Sequence, residues 1–168
     1  LGKQLSENLE PAVVRWTAAD QMHLTLRFLG ATDSGRVDEI SSSLDVVASE
    51  FRSFELNLGE LGCFPNFRRP GVIWLGLEDP DGDLGNLKKH LDASLRELGW
   101  PRETRVFVPH LTIGRVRETR LLRGNVIKKT TNRLVATVPV ESLDLMQSIL
   151  KRGVAEYHLL HRASLTSD

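Results

Sequence analysis

Cysteine is nearly absent: Cys63 is the single one in 168 residues. An internal disulfide is therefore excluded, and a disulfide-stapled secreted scaffold with it. This weights the reading towards a reducing cytoplasm. No apolar run approaches the length that crosses a bilayer, and no basic-then-apolar leader with a small-residue cleavage site opens the sequence. Neither a membrane span nor a secretory signal is expected. Net charge is missing too, because 22 basic residues meet 22 acidic ones. A protein that held nucleic acid by bulk charge would be more basic. No linker or low-complexity tract divides the chain, and no glycine-rich loop of the P-loop or dinucleotide type is present. One Cys and no His-x₃-His leave little to hold zinc, so no metal or cofactor is expected.

What is present is an ordinary globular composition, 40% apolar and 26% charged. The length fits one domain, or two small lobes, and supports a core without staples. The charge balance hides a local bias. Between Arg115 and Arg133 lie Arg115, Arg117, Arg120, Arg123, Lys128, Lys129 and Arg133 against Glu118 alone. Such a run is either a solvated surface or a phosphate-binding face.

Hydrophobic periodicity gives the elements. Residues 12–16 read as a strand. In His23-Leu24-Thr25-Leu26-Arg27-Phe28 the alternation puts His23, Thr25 and Arg27 on one face and Leu24, Leu26 and Phe28 on the other, with Gly30 ending the strand. Val37, Ile40, Leu44, Val47 and Phe51 recur at helical spacing, with Asp33 or Ser34 as N-cap. Residues 54–58 alternate as a strand, a Gly/Pro/Arg loop follows, and 72–77 form a nearly continuous apolar strand, expected to be central. Leu84, Leu87, Leu91, Leu95 and Leu98 mark a second helix that stops near Gly99. Residues 107–116 hold a strand with His110-Leu111-Thr112-Ile113. Further strands are predicted over 135–140, 142–150 and 156–165, with a turn at Lys151-Arg152-Gly153 between the last two. Mixed strands and helices with terminal hairpins argue for an α+β fold.

The sequence repeats weakly: HLTLRFLG from His23 and HLTIGRVR from His110 share His-Leu-Thr-apolar. Residues two apart on a strand share a face about 6.5–7 Å apart. Each copy thus offers an imidazole and a hydroxyl on one face and a greasy face behind. Two such faces brought together would hold two imidazoles and two hydroxyls, with Arg27 and Arg115 close by. That set suits phosphodiester cleavage. Imidazole, with an ordinary pKa of about 6.5, can take or give a proton near neutrality, and a placed acid or base contributes roughly 10²–10⁴-fold. Threonine hydroxyls can bind non-bridging phosphate oxygens, and arginine can offset their charge. A lone His in an alternating strand is usually structural or exposed; two matched motifs separated by a helix are much less readily accidental. His90 reads as solvent-facing on its helix. His158 and His161 read as lying on opposite faces of the last strand. Trp16 and Trp74 read as core or cleft wall.

These motifs resemble the 2H phosphoesterase superfamily, and within it the RNA 2′,3′-cyclic phosphodiesterases, also known as 2′-5′ RNA ligases. The likeness runs from about Val14 to Leu165. It includes Val14-Arg15-Trp16, Phe54-Glu55-Leu56, Leu61-Gly62-Cys63-Phe64-Pro65, residues 68–74, Phe107-Val108-Pro109 and Leu145-Met146-Gln147-Ser148. The resemblance implies a bilobal fold over residues 1–168, with two pseudo-symmetric lobes whose antiparallel sheets line a central cleft and whose helices lie outside. It implies hydrolysis of RNA 2′,3′-cyclic phosphate ends, or nucleotides carrying one, to 2′-phosphates. It makes His23 the proton donor to the leaving 3′ oxygen and His110 the base that activates water, with Thr25, Thr112 and Arg115 binding the phosphate. A 2′-5′ ligase on the same cleft, or a non-catalytic RNA-end-binding module, are the alternatives. Family members normally begin with an Arg-x-Phe-x-Ala-Ile strand. Here the sequence opens on Leu1, that strand is not seen, and residues 1–10 read as the tail of a helix. A cytoplasmic monomer is expected.

Overall fold

A computed structural model of the chain describes residues 13–118, 136–151 and 154–167. The basic residues Arg120, Arg123, Lys128, Lys129 and Arg133, the turn at Arg152-Gly153 and the helical tail expected over residues 1–10 lie outside the described residues.

The elements are β1 (Val14–Trp16), α1 (Val37–Ser49), β2 (Phe54–Phe64), β3 (Val72–Glu78), α2 (Asp83–Glu97), β4 (His110–Val116), β5 (Thr137–Val140), β6 (Ser142–Lys151) and β7 (Val154–Ser164). The fold is α+β, as expected. A five-stranded sheet has the order β1-β4-β3-β2-β5, and β6 pairs with β7 as a separate two-stranded sheet. β3 is therefore central, in keeping with its apolar run. β2 is longer than the alternation of residues 54–58 predicts. It continues through Gly59-Glu60-Leu61-Gly62-Cys63 because a bulge at Gly59-Glu60, between Leu58 and Leu61, takes up one extra residue and regular pairing resumes.

Two compact units divide the chain. The first holds β1, the first motif to Thr25, most of β2, β3 and β4. Its core packs Val14, Cys63, Ile73, Leu75 and Ile113, with Trp16 against them. Burial pushes the Cys63 thiol up to about 11. Gly114 is required where β1 crosses β4, since a Cβ there would stand 2.9 Å from Val14 Cγ1.

The second unit packs α1 and α2 through Ile40, Leu44, Val47, Leu87, Leu91 and Leu95, joined by Leu143 and Ala163 of the hairpin. Asp33 accepts from Gly35 N at 2.7 Å and so caps the short 3₁₀ turn that leads into α1, while α1 itself starts after Arg36 with no side-chain cap. The α2 chain ends at Gly99 with φ 94°, a conformation that only glycine adopts without strain. Trp100 Nε1 donates to Leu29 O at 3.0 Å, and the Arg36 guanidinium stacks on the Trp100 ring.

Strict alternation fails at two places here. Among the described residues the strand does not continue beyond Leu24: an isolated bridge, Leu24 to Leu111, is formed. Phe28 is consequently 75% exposed instead of in the core. His158 and His161 share a face of β7. The register passes from Leu145–His161 to Met146–Leu159, and the bulge at that point inverts the alternation. His161 Nε2 meets Asp45 Oδ1 of α1 at 2.8 Å. His90 is exposed, as read, and pairs with Glu50 across 2.9 Å.

Candidate active site

Both His-x-Thr motifs fall in the first unit. β1 pairs antiparallel along one edge of β4, with Trp16 opposite Gly114. Thr17 N still donates to Ile113 O at 2.9 Å; the chain then leaves that edge over residues 18–22, which include a short 3₁₀ turn, and returns to it at Leu24. The antiparallel bridge from Leu24 to Leu111 fixes the local register. It sets His23 opposite Thr112 and Thr25 opposite His110, on the face away from the two leucines. Directly opposed pairs of this kind have Cβ atoms roughly 4.5–5.5 Å apart, and the diagonal pair of histidines about 7–8 Å. The four side chains form a small, nearly twofold-symmetric cluster.

The two imidazoles are held alike. His23 Nδ1 bonds Gln21 O at 2.9 Å, and His110 Nδ1 bonds Val108 O at 2.7 Å. Each partner is the carbonyl two residues earlier. A carbonyl only accepts, so Nδ1 carries the proton and Nε2 is left to exchange protons with substrate. His23 is exposed, whereas His110 is half-buried. The His110 ring lies edge-on to Phe64, with centroids 5.1 Å apart, and 5.8 Å from Trp74. Phe64 and Trp74 are 5.0 Å apart.

Register explains this aromatic group. Trp74 pairs with Thr112 and with Gly62, Phe64 pairs with Val72, and Gly76 pairs with His110, so all project from one face of the sheet. The opposite face carries Leu61, Cys63, Ile73 and Leu75 into the core. The indole lies flat on Gly62, where any Cβ would overlap it. Trp74 Nε1 is buried with no hydrogen-bond partner among the described residues.

Arg115 joins the same face for a reason invisible in simple alternation. Thr112 faces Trp74 but Gly114 faces Ile73, so Ile113 is an extra residue in β4. This bulge puts both Ile113 and Gly114 towards the core and turns Arg115 to the side of His110 and Thr112. Arg27 does not join. Its side chain is only 7% exposed and lies 3.4 Å from Asp92, while the guanidinium also donates to Pro101 O. It is a structural clamp of the second unit, because the strand that would have aimed it beside His23 stops at Leu24. Among the described residues no group of three or more His, Cys, Asp or Glu side chains gathers to hold a metal.

The sequence reading missed Phe64 as a neighbour of His110, and it missed the carbonyls of Gln21 and Val108. Gly62, two residues before Phe64, was the available signal for the flat indole. Nothing in residue identity marks the carbonyls.

The model for LigT-like phosphoesterases matches residues 1–74 and 75–155. A protein of Aeropyrum pernix described as an RNA 2′,3′-cyclic phosphodiesterase is 31% identical over 151 residues, covering 89% of this chain and 85% of its own. One of Thermotoga maritima with the same description is 38% identical over 120 residues, covering 68% and 63%. Among solved structures, TT0787 of Thermus thermophilus superposes with a TM-score of 0.79 at 25% identity, covering 98% of this chain and 91% of its own. E. coli LigT complexed with 3′-AMP gives 0.74 at 27% identity, covering 98% and 88%. With its two motifs paired and matches of this extent, the chain belongs to the LigT-like, or 2H, phosphoesterases.

Proposed function

We propose that this chain hydrolyses RNA 2′,3′-cyclic phosphate ends to 2′-phosphomonoesters by general acid–base catalysis from His23 and His110. The observation that carries the proposal is the Leu24–Leu111 register, which joins two identically tethered imidazoles and two threonines into one cluster. Relatives described as RNA 2′,3′-cyclic phosphodiesterases support it.

In the proposed step His110 Nε2 takes a proton from water as its oxygen attacks phosphorus. The P–O3′ bond breaks, and His23 Nε2–H gives its proton to the departing 3′ oxygen. The phosphate remains on the 2′ oxygen. Thr25 and Thr112 hydrogen-bond the non-bridging oxygens, and Arg115 offsets their growing charge. The order of acid and base follows the family resemblance, because the two tethers are alike. Aromatic rings at His110 give a dry wall on the base's side.

The test supplies a nucleoside 2′,3′-cyclic phosphate and an RNA ending in one, and identifies the product. A 2′-phosphate from both is expected. A 3′-phosphate would overturn the assignment of the leaving group. Joined RNA without hydrolysis, in the presence of a 5′-hydroxyl strand, would favour a ligase.

A further inference from the structure

We propose that Arg15 and Arg115 form a subsite for a second phosphate, the internucleotide phosphate on the 5′ side of the cyclic end. The proposal rests on the function just given and extends it to how the chain distinguishes an RNA end from a free nucleotide. Arg15 and Arg115 are directly opposed in the β1–β4 register. Like charges in that position repel and weaken the pairing, unless an anion lies between them. The other face is closed to both. On β1 the neighbours Val14 and Trp16 pack into the core, and on β4 Ile113, Gly114 and Val116 do the same. Arg15 is therefore on the face that carries His110, Thr112 and Trp74, beside Arg115.

Neither guanidinium has a carboxylate partner among the described residues. Arg27, Arg36 and Arg162, by contrast, are matched by Asp92, Glu39 and Asp144. Two adjacent guanidinium forks suit one phosphate, each offering paired N–H donors. Allowing for the bulge, Arg115 is one pleat repeat from Thr112, about 6.5–7 Å along the strand. That is within the reach of one nucleotide in an extended single strand. Arg115 would then stand between the two phosphates, offsetting charge on the cyclic one held by the threonines and sharing the next one with Arg15.

The experiment compares kcat/KM for a nucleoside 2′,3′-cyclic phosphate and for a dinucleotide ending in one, in wild type, R15Q and R15K. In R15Q the ratio of dinucleotide to mononucleotide kcat/KM should fall about tenfold, as expected for a lost hydrogen bond to a charged group, through KM and not kcat. R15K should recover part of it, having charge without the fork. The slope of log kcat/KM against log salt for the dinucleotide should flatten by roughly 0.7 in R15Q. An unchanged ratio overturns the subsite, as does an equal loss on both substrates. Failure of the wild type to turn over either substrate would instead sink the proposed function. The same ratio read from equilibrium dissociation constants would then decide on Arg15 alone.

Discussion

Removing the two histidines singly and together tests whether they act on one phosphate. A placed general acid or base contributes roughly 10²–10⁴-fold, about 3–5.5 kcal/mol of transition-state stabilisation at 1.36 kcal/mol per tenfold. H23A and H110A should each lose that much in kcat on a nucleoside 2′,3′-cyclic phosphate, followed by chromatographic separation of product. Independent groups would multiply to roughly 10⁴–10⁸-fold in the double variant. Because the register places both imidazoles diagonally across one bridge, the proposed mechanism uses them in a single step, and the double variant should lose little more than the worse single one. Stability should separate the two differently. His23 is exposed, so H23A should stay within about 0.5 kcal/mol of wild type. H110A also removes ring contacts to Phe64 and Trp74, worth about 0.5–1.5 kcal/mol. Urea titrations would measure the difference. Either single variant keeping more than a tenth of the activity, or a cleanly multiplicative double loss, would refute the reasoning.

Other outcomes follow from particular contacts. Turnover should persist in EDTA, measured on the same cyclic substrate. G62A should cost about 1–3 kcal/mol by overpacking and lower kcat by moving Trp74 off His110, with a shift in tryptophan fluorescence. Cys63, buried and with its thiol pushed up to about 11, should resist alkylation at pH 8 and react only in denaturant. Asp144 is pushed up by burial, but hydrogen bonds from Arg162 and Ser142 outweigh this and hold its carboxyl below the ordinary range. A depressed carboxylate stabilises the fold above its unfolded pKa, near 3.9 for Asp, and loses that contribution as pH falls through the folded value. The gap in urea midpoint between wild type and R162Q should thus be present at pH 7 and close as the pH is lowered below 4.

The helices were legible because their apolar spacing was regular and their ends were signed by Asp33 and Gly99. The central position of β3 followed from its unbroken apolar run. Each His-x-Thr motif was visible, and so was its polar face. What failed was long-range alternation. A bulge costs one residue and inverts every face after it, and neither the bulge at Ile113 nor the one in β7 carries a composition that marks it. That is why Arg115 and His161 lie where simple counting does not put them. Arg27 was misplaced for a related reason. A strand pattern states what a segment would do if paired, and among the described residues no strand pairs with it beyond Leu24. Arg15 escaped notice because its role depends on which residue stands opposite, a fact of register.

Among the described residues the first motif is tied to β4 by one bridge, Leu24 to Leu111, after the excursion over residues 18–22, whereas His110 belongs to a strand paired on both edges. Local opening is governed by the contacts of the segment that opens, not by the stability of the whole. Detaching residues 23–25 would separate the proposed acid from the base while leaving the sheet and both cores intact. Catalysis should therefore be lost on warming before the fold is, with hydrogen exchange at Leu24 and Thr25 running ahead of that in β3 and β4. The working unit should therefore prove less stable than the molecule that carries it.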